Sequence, residues 1–325
     1  MQKRPRSPLL YQAGFTLLEL MVALTLGLIV SGIAIQLAIS GQRGVSDQQA
    51  YSDIQSDALF GLESIMRDVR LSNLNASETM INDQVLHGGI VFTPQNISNN
   101  YVLNEAQQPT TTLDLDVEGE ILSAGKVADS SNLSGQKSDR LVIQYRNVSE
   151  GQFDCEGKQI PVNSYVIQKY HVVKVQTTNE PNQAYALACK AFSYAGTPPT
   201  EIDFSGDGQI LIPRIEHFSV LLGVAQDACS TSQVADGRMS CFGYIPIENY
   251  NAITSIPKPQ VVSVKLGVLV RSTQRIKENS LFNKDKNYEV LHVTAKLAED
   301  ASNQFYMRQI MTQTVALRNG FGVAK

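Results

Sequence analysis

The sequence predicts an α+β protein: one long N-terminal helix, apolar in its first half and amphipathic in its second, packed on an antiparallel β-sheet headpiece. Three observations carry this expectation. The run from Leu20 to Gln42 holds no charged residue and is long enough to span a bilayer, which takes about 20 residues. A helical apolar stripe follows it without a strong stop, and the remainder alternates strand-like runs with polar turns.

Composition narrows the function before any motif is read. Lys and Arg total 27 against 31 Asp and Glu, a formal charge of -4, so no global basic field exists to hold a nucleic-acid backbone. The four cysteines, Cys155, Cys189, Cys229 and Cys241, lie far beyond the apolar run and form no C-x-x-C. Their even number suits two disulfides in an oxidising compartment.

The first fourteen residues, MQKRPRSPLLYQAG, carry Lys3, Arg4 and Arg6 and no acid. A basic flank stays cytoplasmic, so the chain beyond the apolar run is expected to face outward. Within GFTLLELMVALTLGLIVSGIAI, residues 14–35, stands a single acid, Glu19. A carboxylate in a membrane segment costs about 2.5–3.5 kcal/mol, so something must offset it. An ordinary signal peptide would place its cleavage site after the apolar core, around Ala38 to Gly41.

Past the membrane segment, Val45, Ile54, Ala58, Leu62, Ile65, Met66 and Val69 recur at helical spacing among acids and arginines. A continuous helix from about Phe15 to Leu71 would be roughly 85 Å long at about 1.5 Å per residue. Gly27, Gly32, Gly41, Gly44 and Gly61 either allow it to bend or allow close packing. Strands are expected at 89–92, 140–148, 164–175, 184–192, 208–224, 259–272, 288–297 and 305–319. The clearest alternation sets Val262, Val264, Leu266, Val268 and Val270 against Ser263, Lys265, Gly267, Leu269 and Arg271, the mark of a half-buried strand. Long polar loops separate the strands around 94–112, 123–138, 225–240 and 273–287.

Other constellations are weaker. Proximity favours Cys155–Cys189 and Cys229–Cys241, and the two other pairings stay open. In DFSGDGQI, residues 203–210, Asp203, Ser205 and Asp207 alternate as at the start of a calcium loop. Arg214 stands where that loop's bidentate Glu belongs, so an Asp207-Gly208 hairpin turn is the preferred reading over calcium at Asp203 and Asp207. His87, His171, His217 and His292 are scattered, and no phosphate loop, nucleophile elbow or paired-carboxylate site stands out. The expectation is a protein that is not an enzyme and needs no cofactor or metal. Asn-x-Ser sequons at Asn75, Asn96, Asn132 and Asn147 are read as coincidental. Arg271, Arg275 and Lys277 are the candidates should the headpiece bind a ligand.

The stretch GFTLLELMVALTLGLIVSG resembles the prepilin leader of type IV pilins and type II secretion pseudopilins. The headpiece, with its late cysteines, IPRIEHFSVLLGV and the terminal TVALRN, is similar to PilW-type minor pilins and, more distantly, to J-type minor pseudopilins. The resemblance implies a pilin-like fold and cleavage by a prepilin peptidase between Gly14 and Phe15, with N-methylation of Phe15. It also implies an assembly contact in which the Glu19 carboxylate pairs with a neighbouring subunit's Phe15 amine. The organisation expected is a leader over 1–14, a transmembrane and filament-core helix over 15–42, an amphipathic helix over 43–72 and a β-rich headpiece over 73–325. The implied location is the bacterial inner membrane, N-terminus cytoplasmic and headpiece periplasmic, and then the pilus. Implied partners are the peptidase, other minor pilins, the major pilin and the assembly platform, with no nucleic acid. A type II secretion role, a tip adhesin and a DNA-uptake component are the alternatives.

Overall fold

The computed structural model describes residues 14–97, 121–127, 130–176, 183–195, 204, 206–227, 239–275, 285–302 and 305–320. Contacts divide the chain into a unit ending at Gln49 and a headpiece beginning at Ala50. A single helix, α1 (Leu17–Val69), runs through the division as the periodicity predicts. In the headpiece part of α1, Ala50, Ile54, Ala58, Gly61, Leu62, Ile65, Asp68 and Val69 form one buried stripe. Val45, expected on that stripe, is exposed.

The stripe packs on a seven-stranded antiparallel sheet. Its strands are β1 (Leu141–Asn147), β2 (Ser164–Val175), β3 (Ala184–Ala195), β4 (Gln209–Gln226), β5 (Cys241–Pro246), β6 (Gln260–Arg275) and β9 (Tyr306–Ala316). The spatial order is β1-β2-β3-β4-β6-β9, with β5 also paired to β4. The helix-side core combines Ile54, Leu62 and Ile65 with Ile143, Leu187, Ile212, Phe218, Leu222, Val264, Leu266, Val268 and Val315. A polar pair crosses this interface: the Tyr170 hydroxyl donates to Asp68 at 3.0 Å, holding a carboxylate that burial pushes above its usual range.

Three expectations change. The 89–92 stretch makes a single bridge, Ile90 to Ile143, instead of a strand. The 288–297 stretch is a hairpin, β7 (Tyr288–Val290) and β8 (Val293–Ala295), with Leu291 at φ 57° because a two-residue hairpin turn needs positive φ. The outward side of β6 is not simply half-buried: Gly267, Leu269 and Arg271 are covered, since the hairpin and the segment around Leu133 and Leu297 lie over them as a second layer. Alternation in β6 reveals which side faces the helix and is silent about what covers the other.

β4 is where the parts meet. β3 and β5 pair with opposite ends of one of its sides, through Ile215 and from Leu221 respectively, leaving a gap between them. Residues 132–139 fill it. Asp139 N donates to Phe218 O, Ser138 Oγ accepts from Phe218 N at 2.9 Å, and an Asp139 carboxylate oxygen accepts from Val220 N at 2.7 Å. Side-chain oxygens thus stand in for a neighbouring strand's carbonyls.

Gly61 resolves the helix-glycine question for its own position. A Cβ there would lie 2.2 Å from Ile212 Cγ1 and 2.7 Å from Leu211 O, whereas Gly27, Gly32, Gly41 and Gly44 have nothing within 4 Å. Gly61→Val is expected to destabilise the headpiece by about 1–3 kcal/mol through overpacking, read as a lower urea midpoint of the detergent-solubilised chain.

Candidate assembly site

Gly14, Phe15 and Thr16 are non-helical, and α1 starts at Leu17. Thr16 and Glu19 close a reciprocal cap: Glu19 N donates to Thr16 Oγ1 at 3.2 Å, and Thr16 N and Oγ1 each donate to Glu19 Oε2 at 3.4 Å. The orphan amides of the helix start are partly satisfied, and an acid sits where the helix dipole favours negative charge. The Ser/Thr-x-x-Glu signature of this cap is present in the sequence as Thr16 to Glu19 and was the signal to read. It gives Glu19 a partner within its own chain.

Nothing stands within 4 Å of a Cβ at Gly14, and Phe15 is 88% exposed. Beyond them Leu17, Leu18, Leu24, Leu28, Val30 and Ile35 are all exposed. This half of α1 is long and apolar enough to cross a membrane, and none of its apolar window is buried. A bare apolar helix of this kind is built for lipid or for other helices.

In the headpiece, Cys155 and Cys189 form the expected disulfide, with Cα atoms 6.1 Å apart, tying the β1–β2 connection to β3. Cys241 is also disulfide-bonded, and Cys229 lies outside the described residues. Asp203 lies outside them too. Asp207 and Gly208 do not make a two-residue hairpin, because β4 pairing begins at Gln209 opposite Cys189 while β3 runs on to Ala195. Gly208, at φ 76°, lets the chain pass against the Cys189 carbonyl, which a Cβ would meet at 2.2 Å. Among the described residues, no three His, Cys, Asp or Glu side chains are placed to hold a metal.

Arg271 is not a surface group. It is buried with Arg308 on the outer side of the sheet, directly across β6 and β9, and both face Glu216 of β4, at 3.6 and 3.0 Å. Asn132 donates to the other Glu216 oxygen, and the Arg271 guanidinium lies 4.4 Å from the Tyr306 ring centre. Two arginines facing across strands would repel, and the shared carboxylate makes their placement tolerable. Arg275 lies against Tyr306, and Lys277 is outside the described residues. Asn96, Asn132 and Asn147 of the sequons are buried and hydrogen-bonded within the fold.

The histidines are structural. His87 stacks on Tyr165 at 3.7 Å, and burial, with Arg146 nearby, pushes it down to about 4. His217 contacts Ser131 Oγ at 2.9 Å, and burial, with His292 nearby, pushes it down to about 4. Its Nε2 has no hydrogen-bond partner among the described residues, so the Ser131–His217 pair has no carboxylate to orient it as a base. His292, expected in a strand, sits in the β7–β8 turn.

Residues 169–319 match the family model described as Type IV Pilus-assembly protein W, and residues 9–35 match the prokaryotic N-terminal methylation motif. A type IV-like pilin from Thermus thermophilus is similar at 13% identity over 61% of this chain and 84% of that one, with a TM-score of 0.31. No curated protein matches. The methylation motif at the head of a bare apolar helix supports a prepilin-type pilin. With the assembly-protein match across β2 to β9, the findings support a PilW-type minor pilin of type IV pilus assembly.

Acid sensitivity follows from the buried histidines. An unfolded His titrates near 6.5, so the stability that His87 and His217 contribute as neutral groups is complete above that pH and is lost as pH falls toward 4. For His217, 1% exposed, this is on the order of 3 kcal/mol. Asp139, held up at about 6 by burial, works in the opposite sense, its contribution falling as pH rises from about 4 to 6. Denaturant unfolding is expected to show net loss of stability from pH 7 to pH 4.5, with part of that slope removed by His217→Gln.

Proposed function

We propose that this minor pilin is inserted with Lys3, Arg4 and Arg6 in the cytoplasm and cut by a prepilin peptidase between Gly14 and Phe15. It is then methylated on Phe15 and joined to other minor pilins and the major pilin in a complex that primes or tips the filament. Residues 1–14 act as leader, 15–42 as membrane and filament-core helix, 43–72 as the link into the headpiece and 73–325 as the headpiece. The observation that carries this reading is the capped Glu19 at the start of an uncovered apolar helix, inside the matched motif. The cap sustains the acid while the chain is alone in the membrane, and assembly exchanges it for the Phe15 amine of a neighbour. The protein acts as a structural subunit, in keeping with the nature of the matched families.

An adhesive headpiece is favoured by one observation. Phe242 and Tyr244, two apart on β5, are 67% and 50% exposed, two aromatic side chains on one side of a strand where a sugar or peptide could bind. Of the basic residues offered for a ligand of the headpiece, Arg271 is buried and gives no such support, Arg275 is exposed, and Lys277 lies outside the described residues.

Mass spectrometry of the protein from its native membrane tests the processing step. The mature chain is expected to begin at N-methyl-Phe15, and to begin at Met1 without the peptidase or in Gly14→Val; a Met1 start in every sample would sink the proposal. Glu19→Gln separates capping from charge pairing. The amide keeps an acceptor for the Thr16 cap and loses the charge, so processing should persist while incorporation into pili falls by about tenfold, for the loss of about 1.4 kcal/mol of pairing. Full incorporation of Glu19→Gln would leave the cap as the residue's whole role.

A further inference from the structure

Two of the sheet's edge strands, β1 and β9, are finished differently; β5, paired with β4 alone, is a third. On β1, residues Val142, Gln144 and Arg146 turn their backbone groups away from β2, and every one is capped. Val142 N donates to Ser123 Oγ and its carbonyl accepts from Val91 N. Gln144 N donates to Gly89 O and its carbonyl accepts from Asn73 N. Arg146 N donates to Leu74 O and its carbonyl accepts from Asn75 Nδ2. That edge is closed to any further strand.

β9 is open. Leu317 N donates to Val262 O, and the unbroken register from Ala316 back to Arg308 makes the odd-numbered residues those that face β6. The backbone groups of Ile310, Thr312, Thr314 and Ala316 therefore point outward, and among the described residues none has a hydrogen-bond partner. From Gln309 to Ala316, QIMTQTVA, there is no charge, proline or glycine, so the usual defences of an exposed edge are missing. Beside it runs a groove of about 520 Å³ whose lining includes Leu59, Phe60, Met66 and Gln313 together with the charged pair Glu63 and Arg70, with Phe60 73% exposed.

We infer that β9 is a strand-acceptor edge for an extended, uncharged segment of a different pilin-type subunit, whose side chains enter the groove against Leu59 and Phe60. Backbone pairing supplies the affinity, and the groove reads alternate side chains. A second copy of this chain fits poorly. Antiparallel pairing of two β9 strands about an axis normal to the sheet would point the two Ala50–Val69 helix segments in opposite directions, against a common membrane anchor. Head-to-tail sheet growth from β9 to β1 needs an open β1, and β1 is capped. The headpiece thus accepts a neighbour at β9 and cannot pass that pairing on through β1.

This inference rests on the pilin reading, and one experiment separates the two. The full chain carries a photoreactive phenylalanine at Thr314, or at exposed Glu150 beyond β1 as control, in cells that make the whole pilus machinery. The adduct at 314 should be a different prepilin-type chain, joined through an uncharged strand-like segment, and absent at 150. Thr312→Pro, which removes an outward N–H and no internal hydrogen bond, should lower that adduct and pilus number by about tenfold. Thr314→Lys in a chain photolabelled at Thr312 should do the same by charging the edge, and an intact Cys155–Cys189 disulfide reports folding in each variant. An adduct with a second copy overturns the inference, as do equal labelling at 314 and 150 or indifference to both substitutions. If those results come from chains that begin at Phe15, only the edge pairing fails; if the chains begin at Met1, the pilin reading fails with it.

Discussion

The burial of one helical stripe against one side of a sheet is the constraint on which the headpiece depends. Ile54, Ala58, Leu62, Ile65 and Val69 are each 0–1% exposed, and they meet strands from both halves of the chain, from β1 through to β9. At about 25 cal/mol per Å² of apolar surface, burial on this scale is the main favourable term available. It also dictates Gly61, where β4 comes too close for any side chain, and Asp68, whose place on the stripe obliges β2 to supply Tyr170 as a partner. The strands from β1 to β4, β6 and β9 present apolar residues to the helix side, and charged residues such as Glu216, Arg271 and Arg308 are sent to the other side.

That other side is where the headpiece becomes particular. Three charged residues on adjacent strands, Glu216, Arg271 and Arg308, are brought level and then covered by the β7–β8 layer. Leaving any one without the others would strand a buried charge, so the layer and the sheet are bound to a common register. The 132–139 segment works alike, with Ser138 and Asp139 presenting side-chain oxygens to β4 amides where no strand passes.

The helix and most strands were legible in the sequence because each carries its own period. α1 was expected from 15 to 71 and spans Leu17–Val69, and β2 was expected at the residues where it occurs. What could not be read depends on partners distant in sequence. The residues 288–297 look like one strand, because nothing local distinguishes a strand from two halves folded back at Leu291. Arg271 looks like a surface cation in an alternating strand, because its burial is caused by Glu216 and by a layer some twenty residues further along. β5, CFGYIP, does not alternate apolar with polar residues, so no period emerges from it. For the assembly site, Gly14, Phe15 and Glu19 stood out as a motif, whereas the open edge of β9 had no signal of its own. Openness is a property of what the other segments cover, and QIMTQTVA would read the same in the middle of a sheet.

The cap at Thr16 also sets a boundary for the helix. Ser and Thr at this position stop helical hydrogen bonding from spreading backward, so the peptide bond joining Gly14 to Phe15 lies in non-helical backbone. A protease cleft takes its substrate as an extended strand and rejects a helix, whose amides are already spent on one another. Under the proposed processing between Gly14 and Phe15, two non-helical residues would separate the leader from the helix, and the threonine that starts the helix would help to define where the leader is removed.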